Sequence, residues 1–130
     1  MRILSIDWGE KRIGLALSEG SFAEPYGVVS SFEELHQVVK KEGVDQVLLG
    51  LPEGKHEKQV RELSKRIKKE LKIPVRLRSE VLTTQQALEK AIESGKSKKA
   101  RRTLDALSAA TLLQEYLDER ERVRRPPRTT

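Results

Sequence analysis

Three acidic residues occupy positions where this sequence otherwise favours apolar side chains. Asp7 comes near the end of an apolar segment, 2–8, and Glu80 follows a second apolar segment, 73–77. Asp105 lies among apolar residues near the start of a helical pattern. Acidic side chains are almost never fully buried unless a partner or a metal ion compensates their charge. The three acids are therefore candidates for catalytic or metal-binding roles.

Each acid has a simpler explanation when it is taken alone. Asp7 can end its strand and bond the turn at Gly9. Asp105 can interact with the helix dipole, which stabilises a negative charge in the first turn by about 0.3–1 kcal/mol. The dipole explanation suits an exposed acid. Asp105 is one helical turn before Ala109 and therefore lies on the apolar side of its helix, where that explanation is weaker. Glu80 by itself is typical of an ordinary loop.

Taken together, the three acids indicate a metal-dependent nuclease. Converging carboxylates repel one another unless a cation lies between them. Oxygen ligands select hard divalent ions, so we expect one or two ions of Mg²⁺ or Mn²⁺. Such a site can stabilise both the attacking and the leaving oxygen of a phosphodiester. We therefore predict Asp7, Glu80 and Asp105 as catalytic residues and metal ligands.

The elements that must position these acids follow from hydrophobic periodicity and capping signals. The sequence predicts strands at 2–8, 12–17, 27–30, 46–49 and 73–77. It predicts helices from a capping box at Ser31 to Gly43, around the apolar stripe of 60–71, from Thr83 to Gly95, and over 104–119. This order predicts an α/β fold with a mixed five-stranded sheet, in which three antiparallel strands precede an αβαβα series with helices on both faces.

Length and composition limit the domain organisation and the partners that this chain can have. A chain of 130 residues without cysteine is predicted to form one domain over 1–119, with no disulfide or thiolate site, followed by a basic, flexible tail over 120–130. No apolar run approaches the roughly 20 residues that a membrane span needs. We expect a cytoplasmic protein without membrane contact, as a monomer or weak homodimer.

Positive charge is concentrated in the last quarter of the chain. Ten of the 26 basic residues, but only five of the 20 acidic residues, lie between Lys96 and Thr130. This asymmetry suggests a polyanionic partner, nucleic acid first, but a well-solvated surface explains the composition equally well. The predicted phosphate contacts come from the basic segment ahead of Asp105, namely Lys98, Lys99, Arg101 and Arg102.

Four segments resemble the YqgF (RuvX) family, in the same order and at similar spacing. They are DWGEKRIG at 7–14, VLLGLP at 47–52, SEVLTT at 79–84, and LDALSAA at 104–110 with its continuation to Gln114. The family's corresponding patterns are D-x-G-x-x-R-I-G, V-x-G-L-P, D-E-R-L-T-T and D-x-x-A-A-x-x-L-Q. The resemblance extends from Met1 to about Leu117.

The resemblance implies an RNase H-like protein, from a family described as Holliday junction resolvases and as nucleases that mature precursor 16S ribosomal RNA. It assigns the metal ligands to Asp7, Glu80 and Asp105, the same acids that placement selects. It implies that Arg12 neutralises phosphate charge or orients the Asp7 turn. It also implies that Gly9 and Gly14 permit a tight turn and close backbone approach.

Two departures from the family pattern affect the substrate contacts. Ser79 and Val81 stand where the family has an acid and an arginine, so Arg78 or Arg76 would have to replace that arginine. The loop at 53–56 is short, and His56 within it is expected to be a solvated loop residue.

The leading hypothesis is cleavage of precursor 16S rRNA, with the precursor of the small ribosomal subunit as partner. A Holliday junction resolvase acting on branched DNA is the alternative within the same chemistry. A catalytically weak module that only binds nucleic acid is a further alternative. An ATP-binding protein of the actin and hexokinase type is disfavoured, because that architecture needs two such domains.

Overall fold

The structure is a computed structural model that describes residues 1–52, 54, 56–80 and 98–124, without the side chains of 80, 98–103 and 124. This part of the chain contains five strands and three helices. The strands are β1 (Ile3–Trp8), β2 (Ile13–Glu19), β3 (Phe22–Val29), β4 (Gln46–Pro52) and β5 (Val75–Glu80). The helices are α1 (Phe32–Glu42), α2 (Glu57–Leu71) and α3 (Lys98–Arg124).

The five strands form one mixed sheet in the order β3-β2-β1-β4-β5. β1, β2 and β3 are successively antiparallel, whereas β1, β4 and β5 run parallel to one another. The predicted mixed five-stranded sheet is confirmed. Since β1 is central and has β4 and β5 parallel to it, the carboxyl ends of these three strands meet at one edge, where open α/β sheets place their ligands.

Alternation along β1 divides the core between the two faces of the sheet. Leu4 and Ile6 belong to a cluster that also contains buried residues of α1 and α2. Ile3 belongs to the cluster on the opposite face, where it packs with Leu113 and other apolar residues of α3. Helices therefore cover both faces, as the pattern predicts, and α3 is the helix on the face of Ile3.

Helix α1 begins and ends as its capping signals predict. The Ser31 hydroxyl accepts a hydrogen bond from the Glu34 backbone N–H at 3.2 Å, which satisfies one of the free donors at the helix start. Gly43 ends the helix with φ of 62°, in the left-handed region that glycine adopts without a Cβ penalty.

Several predicted boundaries were wrong, including the end of β4, which extends to Pro52 rather than ending at Leu49. β3 begins at Phe22 rather than Gly27, because an exposed edge strand has no buried face to produce alternation and tolerates Pro25. β5 extends to Glu80 rather than ending at Leu77, since arginines interrupt its apolar pattern. The last helix extends over Lys98–Arg124 instead of 104–119, so residues 120–124, predicted as part of the tail, are helical.

The predicted helix from Thr83 to Gly95 and the end of the tail, 125–130, lie outside the described residues. In the described part of the chain, no helix combines the length and the apolar character that a membrane crossing requires.

Candidate active site

Asp7 lies at the carboxyl-terminal part of the central strand and is only 7% exposed. Alternation along β1 puts it on the same face as Ile3, which is the face that α3 covers. Its register partner in the antiparallel strand β2 is Gly14. A carboxylate is therefore buried near the carboxyl end of the central strand. Its cross-strand neighbour on the face covered by α3 is a glycine.

Gly14 allows the backbone of α3 to approach the sheet at Asp105. A Cβ built on Gly14 would collide with the backbone carbonyl of Asp105 and lie 3.1 Å from the Asp105 Cβ. A glycine is required here by the close approach of the helix rather than by its own dihedral angles. Because Gly14 pairs with Asp7, this contact brings Asp105 to the strand position beside Asp7, although 98 positions separate the two acids in numbering.

Asp105 forms an ion pair with Arg12 that links α3 to the turn between β1 and β2. Arg12 Nε donates to Asp105 Oδ2 at 2.6 Å, and the two side chains are 29% and 20% exposed. The Arg12 guanidinium therefore fixes the Asp105 carboxylate and offsets its charge next to a buried acid. A carboxylate has about four acceptor sites on its two oxygens, so this bond leaves capacity for a further ligand. We call Asp7, Arg12, Gly14 and Asp105 the acidic corner.

The turn that carries Arg12 is itself tightly built. A Cβ on Gly9 would lie 2.8 Å from the carbonyl oxygen of Arg12. The glycine thus lets the chain reverse between β1 and β2 within a few residues and directs Arg12 toward α3. The sequence predicted a phosphate or the Asp7 turn as the partner of Arg12; the structure gives it the carboxylate of Asp105.

Glu80 is the last residue of β5 and pairs with Pro52 at the end of β4. The parallel direction of β1, β4 and β5 brings its backbone to the same edge of the sheet as Asp7, as the sequence predicted. Its side chain lies outside the described residues, as do those of Lys98, Lys99, Arg101 and Arg102. The first five residues of α3 include these four basic residues, which precede Asp105 in the sequence.

Among the side chains that the structure describes, no group of three or more acidic or histidine residues could hold a metal ion. The structure therefore brings Asp7 and Asp105 to one corner of the molecule. The side chain of the third predicted ligand, Glu80, is not among those that the structure describes. The donors are carboxylate oxygens, one from a buried residue and one from a partly buried residue. Such donors suit a hard divalent cation.

The two arginines proposed as replacements for the family's arginine bind elsewhere. Arg78 donates from both terminal nitrogens to the two carboxylate oxygens of Glu119 on α3, each at 2.7 Å. This bidentate bond lowers the pKa of Glu119 and raises that of Arg78. Arg76 lies with its guanidinium 5.6 Å from the ring centroid of Tyr116, also on α3.

His56 lies in the turn before α2 with its side chain 29% exposed, and it also packs against an aromatic ring, a contact that the sequence did not predict. Its ring lies 5.3 Å from that of Trp8, the residue after Asp7. His56 Nδ1 is 3.1 Å from the Gln59 amide oxygen, and Nε2 is 3.6 Å from a carboxylate oxygen of Glu10. Sequence reasoning missed this contact because the two rings come from different elements.

Comparison with known sequences identifies relatives over nearly the whole chain. Residues 1–119 match the model of the RuvX family, described as "Holliday junction resolvase". A protein of Caldanaerobacter subterraneus named "Putative pre-16S rRNA nuclease" is 35% identical over 93% of this chain and 99% of its own length. A protein of the same name from Pelotomaculum thermopropionicum is 33% identical over 96% and 92%.

Comparison with solved structures identifies a shared fold at low sequence identity. RuvC of Thermus thermophilus in complex with a Holliday junction substrate has a TM-score of 0.58 at 14% identity, covering 93% of this chain and 96% of RuvC. The Holliday junction resolvase of fowlpox virus has a TM-score of 0.56 at 15% identity, covering 92% and 99%. These similarities confirm the predicted α/β RNase H-like fold.

Proposed function

The chain belongs to the RuvX family, and from that premise we propose that it is a divalent-cation-dependent nuclease in the 5′-end maturation of precursor 16S rRNA. The observation that carries the proposal is the acidic corner. The helix backbone at Asp105 is packed against Gly14, the register partner of the buried Asp7. A fold that uses a glycine to bring a second acid toward a buried one is suited to binding a cation.

In this proposal Asp7, Asp105 and Glu80 hold Mg²⁺ or Mn²⁺, as one or two ions. Asp7 is buried at the carboxyl-terminal part of β1, and its carboxylate oxygens are the hard donors that a divalent cation prefers. When bound, the cation supplies an activated nucleophile at neutral pH and stabilises charge on the phosphoryl oxygens.

The other residues of the corner would position the acids and the substrate. Arg12 orients the Asp105 carboxylate through its 2.6 Å bond. The basic residues at the start of α3, Lys98, Lys99, Arg101 and Arg102, would hold backbone phosphates beside the acids. A phosphodiester placed between this helical turn and the buried acid would present its scissile bond to the cation site.

Precursor rRNA is favoured over DNA because the sequence relatives that cover almost the full chain carry the name of a pre-16S rRNA nuclease. A Holliday junction resolvase is the second candidate. The description of the family and the similarity of fold to RuvC favour it. The same acids and cation would serve either substrate, since both reactions hydrolyse a phosphodiester.

Parallel cleavage assays test the proposal and separate the two substrates. The full chain would be incubated with a 5′-extended 16S rRNA fragment and with a four-way DNA junction, each in Mg²⁺, Mn²⁺ and EDTA. We expect cation-dependent cleavage of the RNA at a higher rate than of the junction. Faster cleavage of the junction would establish the resolvase instead. Binding without product in any cation would contradict nuclease activity and indicate a module that only binds nucleic acid.

A further inference from the structure

A cavity of about 560 Å³ lies at the end of the sheet opposite the acidic corner. Residues from the first half of β4 and β5 and from the carboxyl-terminal half of α3 line it: Gln46, Arg76, Tyr116, Glu119, Arg120 and Val123. Its volume is within the range of about 300–1,000 Å³ that small-molecule sites occupy. We call it the arginine cavity.

Two guanidinium groups flank the same aromatic ring in this cavity. The Arg76 guanidinium is 5.6 Å from the centroid of the Tyr116 ring, and that of Arg120 is 5.7 Å from it. Tyr116 is itself buried, so its ring is a fixed support. Guanidinium groups held against an aromatic ring lose less freedom when they form hydrogen bonds to a ligand.

Neither Arg76 nor Arg120 has an ion-pair partner within the described part of the chain. The acid that lines the cavity, Glu119, is already bound through both oxygens by Arg78. Arg78 also keeps Glu119 ionised by lowering its pKa, and the charges of this pair offset each other. The cavity therefore has an excess of positive charge that nothing in the described structure neutralises.

We propose that the arginine cavity is a second phosphate-binding site, which holds the backbone of a single nucleic-acid strand at a distance from the acidic corner. The forked donors of arginine match phosphate oxygens, and arginine is the residue most suited to that recognition. An acidic peptide would present carboxylates instead, but the positive charge concentrated in the last quarter of the chain suits a long polyanion.

The position of the cavity on α3 relates it to the acidic corner. Asp105 and the cavity residues Tyr116 and Arg120 belong to the same helix. At 1.5 Å per residue they are separated along the axis by about 16 to 23 Å. A strand stacked as in a duplex has a phosphate about every 3.4 Å, so this span corresponds to roughly five to seven stacked nucleotides, and to fewer in an extended strand. This proposal depends on the proposed function only in assuming that the protein binds nucleic acid. It does not depend on cleavage of that nucleic acid.

Binding measured without catalysis tests the site. A fluorescein-labelled single-stranded RNA of about 20 nucleotides would be titrated with the full chain in EDTA at several salt concentrations. For single strands, each phosphate contact contributes about 0.7 to the magnitude of the slope of log K against log salt concentration. Replacing one arginine should therefore lower that magnitude by about 0.7 and lower the affinity about fivefold at 0.1 M salt. The double variant Arg76→Gln/Arg120→Gln should therefore bind about 25-fold more weakly at 0.1 M salt.

Arg66→Gln is the matched control. Arg66 also lies over an aromatic ring, 3.9 Å from the centroid of Phe32, but it is paired with Glu70 at 2.6 Å. Its replacement should leave both affinity and salt slope unchanged. Equal binding by wild type and by the folded double variant would overturn the proposal, and so would an equal loss in Arg66→Gln.

A second measurement applies even if the double variant does not fold. The guanidinium Nε–H resonances of Arg76 and Arg120 in the wild-type chain would be followed by NMR with RNA, inorganic phosphate or poly-glutamate. We expect both resonances to shift with RNA at micromolar concentrations. Shifts with poly-glutamate or phosphate, but not with RNA, would overturn the proposal. Because EDTA is present throughout, a failure of cleavage does not affect either readout.

Discussion

Two arginine–carboxylate pairs connect α3 to the sheet, one at each end of the packed part of the helix. Arg12 binds Asp105 through one bond of 2.6 Å, with both side chains less than a third exposed. Arg78 binds Glu119 through two bonds of 2.7 Å, and Glu119 is half exposed. The pairs are separated by about 21 Å along the helix.

The surroundings of the two pairs differ more than their chemistry. Asp105 is packed against Gly14, the register partner of the buried Asp7, and the proposed function gives its charge a role in binding a cation. Glu119 faces a cavity with two further arginines, and its charge is offset by Arg78. If both proposals hold, the same type of ion pair belongs to a cation site at one end of the helix and borders an anion site at the other.

Replacement of the buried acid should have the largest effect on activity. Asp7→Asn is expected to reduce cleavage by at least about 100-fold, the loss that even a supporting partner of a metal ligand can cause. Initial rates in saturating Mg²⁺ would measure it, with circular dichroism to verify the fold. Asp118→Asn, an exposed acid on α3, is the control and should retain the wild-type rate. Full activity of Asp7→Asn would contradict the site.

Gly14→Ala should damage both stability and activity. The added Cβ collides with the Asp105 carbonyl and displaces α3 from the sheet. Overpacking of this kind typically costs about 1–3 kcal/mol. Urea unfolding would measure the stability, and the cleavage rate should fall with it. An alanine variant as stable and active as wild type would show that the close approach of α3 is not needed.

Arg12→Gln should affect the acidic corner alone. Loss of a group that orients a metal ligand costs about 10- to 100-fold in activity or metal affinity. The counterpart at the other end of α3, Arg78→Gln, should leave the rate of cleavage at saturating RNA unchanged, because Arg78 contacts Glu119 and not the acidic corner. Steady-state rates of the two variants on the same RNA compare the two pairs directly. Equal losses would indicate that both pairs only attach the helix.

The smallest expected effect is the pH dependence of stability that comes from Glu119. The hydrogen bonds from Arg78 lower the pKa of Glu119 in the folded state from its ordinary 4.5. This pair therefore stabilises the fold above the unfolded pKa, and the contribution is lost as pH falls through the lowered value. Glu119→Gln should have a lower Tm than wild type at neutral pH, and the difference should vanish in acid. A difference that grows in acid would contradict this linkage.

Much of the fold was predictable because its signals are local. The apolar run of β1, the capping box at Ser31 and the left-handed stop at Gly43 involve neighbouring residues only. Asp7 and Asp105 could be selected because each is an acid placed on an apolar, packed side. β3 was predicted too short because its first residues are exposed and have no alternating pattern.

The partners of the arginines could not be predicted from sequence. Arg12 and Asp105 are separated by 93 positions, and Arg78 and Glu119 by 41. No pattern in the chain indicates which acid an arginine will meet after folding. The sequence offers Arg78 as one of two candidates for a phosphate contact, and the structure pairs it with Glu119. The arginine cavity depends on three elements that only the tertiary structure brings together.

Titration with Mn²⁺, followed by electron paramagnetic resonance, tests most directly whether separate acids form one cation site. We expect saturable Mn²⁺ binding by the wild-type chain, its loss in Asp7→Asn, in Asp105→Asn and in Glu80→Gln, and its retention in Asp118→Asn. Undiminished Mn²⁺ binding by either Asp7→Asn or Asp105→Asn would contradict it.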